Sequence, residues 1–298
     1  MQAGVGDAGR PARPPRALRG SPVDRLQPRR VGALLDAGFD VLRFRARTLF
    51  LVSAGILLPL AVVPQALSYR GLGGSGLDLR LNLSNGSFLP SETSALGADD
   101  LLGALVLGAL PLLAMALLGL AMGHLVGGWL AGEDPGPAVV LRSTLRQAPV
   151  ALAAYLIALP LKAAGFAACY VGAVIVIGQL QILSPVIAFE RLGPLKAIGR
   201  SWRLSSRRFF RGPGLVLGLA LVTAAVSTAL LGIQTLVAQL LKENSWGWAV
   251  AGGIGTGITM LLAPFQAAVA VLHYLDLRVR AEGLDLQLRA TEAFDRAR

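Results

Sequence analysis

Charge is what this sequence has least of. Lys, Arg, Asp and Glu make up 15% of 298 residues, and they avoid long stretches entirely. None falls in Leu101–Leu130, Gly212–Leu241 or Asn244–Tyr274, and between Ala148 and Phe189 Lys162 stands alone. A water-soluble core helix would carry a polar stripe on every turn or so. A bilayer core about 30 Å thick is instead crossed by roughly 20 uninterrupted apolar residues. Cysteine is nearly absent as well. A single Cys169 excludes an intrachain disulfide, and no CxxC or Cys/His cluster suggests a metal. Only His124 and His273 represent histidine, too few for a zinc hydrolase site with its ligands and its acid–base partner. No Ser or Cys sits in a nucleophile elbow.

What is present is apolar. Hydrophobic residues reach 54% and mean hydropathy is +0.61, outside the usual range of soluble domains. The sequence predicts an all-α integral membrane protein of six spans: Leu49–Leu67, Leu101–Leu130, Ala148–Leu161, Phe166–Ala188, Gly214–Ala238 and Trp248–His273. Together they form a membrane domain over residues 31–273. The third span is short. A tight hairpin through Lys162-Ala163-Ala164-Gly165 would separate it from the fourth, with a re-entrant loop as the alternative and Lys162 snorkelling to the interface. Residues 1–30, rich in Pro, Arg and Gly, read as a disordered tail. The first apolar stretch starts only near Leu49 and is long enough to span, which argues against a signal peptide.

Basic residues set the orientation. With both termini on one side, residues 1–47, 131–147, 189–213 and 274–298 hold 24 Lys and Arg, and the other side holds Arg70, Arg80, Lys162 and Lys242. The positive-inside rule places the termini, including the 274–298 tail, in the cytoplasm of a cell membrane. The net charge of +11 is then a topology signal that calls for no nucleic-acid partner. Trp246 and Trp248 fit the outer headgroup zone. The 25 Arg against 3 Lys, with abundant Ala, Gly and Leu, suggest a GC-rich bacterial source.

The outer segment, roughly 68–100, contains Gly71-x-Gly73-x-x-Gly76. This string lacks the strand before it and the helix after it that a dinucleotide site needs, and no cofactor is expected. Asn82-Leu83-Ser84 and Asn85-Gly86-Ser87 are sequons that, in a bacterium, read as polar turns.

Two amphipathic segments flank the spans on the basic side. In residues 31–47, Val31, Leu34, Leu35, Gly38, Phe39 and Leu42 recur at helical spacing. In residues 190–211, Pro194 is placed to start a helix. Leu195, Ile198, Trp202 and Phe209 then form an apolar row beside a cationic row of Lys196, Arg200, Arg203 and Arg207. The plain reading is an anchor that fixes topology. The sharper one makes Lys196, Arg200, Trp202, Arg203 and Arg207 a docking surface for anionic headgroups or an acidic partner. Gly119, Gly123 and Gly127, and likewise Gly253 and Gly257, recur at four-residue spacing that lets helices approach closely, inside one chain in preference to a second copy. Prolines occur in five of the six spans, where they tend to kink a helix. After the last span, Asp276 with Arg280 and Arg278 with Glu282 are spaced for pairing on a continuing helix, and Gly283 is placed to stop it. Leu284 and Leu288 could pack the tail back on the membrane face.

The blocks Ser184-Pro185-Val186-Ile187-Ala188-Phe189-Glu190-Arg191 and Gly199-Arg200-Ser201-Trp202-Arg203-Leu204 carry a family resemblance, as does Leu275–Leu286. So do Val31–Thr48 and Gly132-Glu133-Asp134-Pro135-Gly136. They resemble bacterial, actinobacterial-type polytopic proteins of the "glycerophosphoryl diester phosphodiesterase membrane domain" family, across most of residues 30–290. That name comes from enzymes that join such a domain to a separate catalytic barrel. The resemblance implies the membrane domain without that barrel, and not phosphodiester hydrolysis.

The function expected is therefore non-enzymatic: a membrane-embedded scaffold or accessory subunit engaging anionic lipid or another membrane protein through its basic cytoplasmic face. A transporter or lipid-handling channel for a neutral or amphiphilic substrate is the alternative. An internal polar cavity lined by Gln179 and Gln266 would favour transport, and a tightly packed Gly-lined interior the scaffold.

Overall fold

The computed structural model describes residues 30–69, 98–167, 169–241 and 247–283. The N-terminal tail to residue 29, the Gly71–Gly76 string, both sequons, Trp246 and the tail from residue 284 lie outside them. Nine helices account for nearly all the described residues, with no strand among them. They are α1 (Val31–Phe44), α2 (Ala46–Tyr69), α3 (Ala98–Leu130), α4 (Pro137–Ala167), α5 (Cys169–Leu180), α6 (Leu183–Glu190), α7 (Pro194–Ser206), α8 (Arg211–Leu240) and α9 (Gly247–Glu282). Five stretches are long and apolar enough to cross a membrane: Leu113–Leu130, Pro137–Gly165, Val171–Glu190, Arg211–Val237 and Gly253–Glu282. At 1.5 Å per residue, α3 and α9 extend about 50 and 54 Å, well beyond a bilayer core.

The bundle is built around α9 and α3. Phe265, Val269, Leu272, Tyr274 and Leu275 of α9 are buried, as are Leu118, Leu120, Leu125 and Val126 of α3. By contrast α4 exposes Leu156, Ile157, Leu159 and Leu161, and α8 exposes Leu217, Leu221, Ile233, Leu236 and Leu240. In water such long apolar faces would aggregate; hydrocarbon is their natural surrounding.

Glycine sets the closest contact on α3. A Cβ on Gly119 would lie 2.5 Å from the Ser184 Cβ, and one on Gly123 would lie 2.5 Å from the Ala188 Cβ. Gly127 faces the Phe189 ring at 3.5 Å. All three therefore pack against α6, inside the chain. Gly253 and Gly257 behave differently, since a Cβ on either would meet nothing within 4 Å.

Two spans depart from the sequence expectation. The short third span is the middle of a 31-residue helix, and Lys162-Ala163-Ala164-Gly165 lies within that helix and not in a hairpin. Those four residues hold no proline and only one glycine, too little to break a helix in mid-course. Nor does Lys162 simply reach outward. Its ammonium lies over the Tyr155 ring, 4.8 Å from the centroid, two turns back along α4, the direction in which helical side chains lean.

The fourth span is broken. α5 ends at Leu180, Gln181 and Ile182 form a turn, and α6 starts at Leu183. The cause is Pro185, whose ring would clash with the carbonyl four residues earlier, that of Gln181.

α1 packs on the bundle through Leu34, Ala37, Gly38 and Val41, all buried. Phe39 stacks on Phe265 of α9 with ring centroids 4.3 Å apart. The α3–α4 connection closes with Gly132 at φ +77, where Glu133 N–H bonds the Gly128 carbonyl and Gly132 N–H that of Trp129. Asp134 of that connection pairs with Arg45 between α1 and α2.

Candidate functional site

The polar residues gather at one end of the bundle, where α6 ends, α7 crosses, α8 begins and α9 finishes. Gly193 and Pro194 open α7, with proline in its first turn. Before them Arg191 terminates α6 in the left-handed region, at φ 50 and ψ 36, with its N–H on the Ile187 carbonyl. This reversal turns α7 back over α6.

A closed ring of side chains then ties three helices together. Arg200 Nε on α7 donates to both carboxylate oxygens of Glu190 on α6, at 3.0 and 2.9 Å, and its Nη2 donates to Glu282 Oε1 on α9. Arg278 Nε donates to the other oxygen of Glu282 at 2.9 Å, and its Nη1 to the Tyr274 hydroxyl at 3.4 Å. That hydroxyl in turn donates to Glu190 Oε1 at 3.0 Å. The side chains of Arg200, Glu190 and Glu282 are 16, 18 and 26% exposed, so solvent screens these bonds only in part. Burial alone would lower the Arg200 pKa. The bonds from Glu282 and Glu190 outweigh it and hold that guanidinium above the usual arginine value.

A second knot fixes α8 to α9. The Asp276 carboxylate, 2% exposed, accepts from Arg211 Nη2 at 2.8 Å and Arg280 Nε at 3.0 Å. The two spacings read from the sequence, Asp276 with Arg280 and Arg278 with Glu282, are thus both formed, and Gly283 stops the helix at φ +62. One turn before Asp276, the buried His273 has no hydrogen-bond partner at either ring nitrogen. Among the described residues, no group of three or more His, Cys, Asp or Glu could hold a metal.

α7 turns a small-residue face inward: Ala197, Ser201, Leu204 and Ser205 are buried. Ser201 Oγ donates to the Gln179 carbonyl at 2.8 Å, satisfying an acceptor at the break between α5 and α6. Gln179 Nε2 donates to the Phe209 carbonyl at 3.1 Å. Next to this bond α5 and α8 touch backbone to backbone. A Cβ on Gly178 would lie 2.5 Å from Pro213 N, and one on Gly212 would lie 2.5 Å from the Gly178 carbonyl oxygen.

The structure divides the sequence-predicted row. Arg200 is drawn into the ring, whereas Lys196, Trp202, Arg203 and Arg207 are exposed, with Arg207 Nη1 donating to the Ala281 carbonyl at 3.2 Å. Leu195, Trp202 and Phe209 of the expected apolar row also face outward. Sequence reasoning missed Glu190 and Tyr274 as Arg200's surroundings, the Gly178–Gly212 contact, and Phe210. Gly212-Pro213-Gly214 at the start of an apolar run was the available signal for that contact.

Gln266 lines a cavity of about 20 Å³ with Leu57, Ala114, Met115, Thr259 and Leu262, room for about one water. Gln179 is not part of its lining; its side chain is tied into the α5–α7–α8 contact. A scan against protein-family models and searches of curated proteins and of solved structures each return no match.

Proposed function

We propose that this chain is a non-enzymatic scaffold or accessory subunit of a bacterial cell membrane, engaging anionic lipid or a membrane partner through a basic cytoplasmic face. One observation carries the reading: the polar residues that meet at the charged end lock helices to one another, while the cations and aromatics beyond them are left facing out. Arg200, Glu190, Glu282, Arg278 and Tyr274 hold α7 against α6 and α9. Arg203 and Trp202 lie on its free side.

On this reading α2 supplies a sixth span. It is 24 residues, about 36 Å, and its stretch Ala46–Leu60 is apolar. Six spans bring both termini to the cytoplasm with the charged end. The likeness to the "glycerophosphoryl diester phosphodiesterase membrane domain" family is in keeping with a membrane domain that performs no hydrolysis. Transport of a neutral or amphiphilic substrate is the second reading. The broken α5–α6 segment favours it, since interrupted helices recur at transporter sites.

Crosslinking in native membranes, then purification in mild detergent, tests the proposal. Anionic phospholipid or a stoichiometric membrane-protein partner that co-purifies with the chain, and is lost on replacing Lys196, Arg203 and Arg207 by Gln, is the expected result. A chain that purifies alone and carries a small molecule would replace it with transport.

A further inference from the structure

We infer that the outward side of α7 and the turn after it form a headgroup site for anionic phospholipid, with Lys196, Arg203 and Arg208 holding the phosphate zone and Trp202, Phe209 and Phe210 set into the acyl boundary. The inference rests on the membrane-scaffold reading and names what its basic face binds.

Charge complementarity is the first argument. The carboxylates nearby are already taken: Glu190 and Glu282 by Arg200 and Arg278, and Asp276 by Arg211 and Arg280. Lys196, Arg203 and Arg208 are exposed and meet no carboxylate among the described residues. On α7, Lys196 and Arg203 are seven residues apart, so they stand about 20° from each other and roughly 10 Å apart along one edge. That leaves an uncompensated cationic rim.

Apolar exposure is the second. Leu195 is 70% exposed and Phe210 82%, and Phe210 meets Phe209 edge to face with centroids 5.3 Å apart. Two rings and an indole beside cations would be costly in water. They suit an in-plane helix whose apolar side dips below the headgroups while its cations stay level with them.

Position is the third argument, and it selects lipid over a soluble acidic protein. α8, an apolar stretch long enough to span, begins at Arg211, the residue after Phe210. The aromatic pair therefore lies within one turn of hydrocarbon, at a depth a soluble acidic protein does not reach. The anchoring on the inner side, Ser201 to Gln179 and Arg200 to Glu190, keeps this face turned outward.

The full chain goes into nanodiscs with Trp202 as its sole tryptophan, Trp129, Trp246 and Trp248 being replaced by Phe. Quenching is then measured with brominated phosphatidylglycerol or brominated phosphatidylcholine at equal mole fraction. Phosphatidylglycerol should quench selectively, and each of Lys196→Gln, Arg203→Gln and Arg208→Gln should reduce that selectivity about fivefold. Arg142→Gln removes an exposed cation from α4 and should leave the selectivity unchanged. Equal quenching by the two lipids, or equal loss in the Arg142 variant, overturns the headgroup site. So does an unquenched Trp202, and if a protein partner still depends on Arg203, the scaffold reading survives with protein in place of lipid. Selective quenching in a chain that transports a solute would instead keep the site and remove the scaffold.

Discussion

Arg200 of α7 closes on Glu282, the last residue of α9, although 82 positions separate them in the chain. The same guanidinium holds Glu190 through its Nε, so one side chain joins the ends of α6 and α9. Removing it leaves two partly buried carboxylates facing each other. Arg200→Gln should lower stability by about 2–4 kcal/mol, because Glu190 and Glu282 each lose a guanidinium partner in a partly buried setting. Arg203→Gln, on the exposed face, should change stability by less than about 0.5 kcal/mol. Thermal unfolding in one detergent, read by near-UV circular dichroism, separates the two. Equal effects would mean that the ring does not hold α7.

The end of α6 offers the opposite change. Arg191 adopts the left-handed conformation at the end of α6, which costs a non-glycine residue about 1–2 kcal/mol. Arg191→Gly removes that strain at some cost in unfolded-chain entropy, so a net gain of about 0.5–1 kcal/mol is expected. Arg191→Val should destabilise, since a β-branched side chain fits this region worst. Parallel melting curves of the two variants check the sign of each.

Much of this architecture was legible because charge and helix punctuation are local. Charge-free runs mark the apolar helices, Pro194 opens α7, Gly283 closes α9, and two four-residue spacings become ion pairs. Even the break at Gln181 had a local cause in Pro185, four residues on, though a continuous apolar run hid it. The role of Arg200 was not local. By spacing it belongs to a row with Lys196 and Arg203, and only the arrival of Glu282 beside Glu190 draws it out of that row. The turn expected at Lys162–Gly165 failed for another reason: dividing a long apolar run by length ignores that alanine carries a helix on unless something stops it.

The brace at that break gives a third prediction. Ser201 Oγ bonds the Gln179 carbonyl in a buried setting. Ser201→Ala would leave an unsatisfied acceptor, worth about 1–3 kcal/mol, and should speed amide exchange around Ile182 and Leu183. Ser206→Ala removes an exposed bond to the Arg203 carbonyl and should leave that exchange unchanged. Hydrogen–deuterium exchange on the full chain reads both, and unaltered exchange in Ser201→Ala would remove Ser201 as the support of the break.

Glycines supply the last test, because the same substitution should have opposite effects at different helices. At Gly178 and Gly212 an added methyl meets backbone atoms 2.5 Å away. Backbone cannot swing aside as a long side chain can, so α5 and α8 must separate. Gly178→Ala and Gly212→Ala should each cost about 1–3 kcal/mol or more. At Gly253 and Gly257 the methyl meets nothing within 4 Å, and alanine's higher helix propensity should leave stability unchanged or raised by up to about 1 kcal/mol. If Gly253 and Gly257 instead pack against a second copy, alanine there would weaken an assembly while sparing the monomer's melt. Light scattering coupled to size exclusion distinguishes the cases: a constant mass with a steady or higher melting temperature places these two glycines against lipid, and a loss of mass places them between chains.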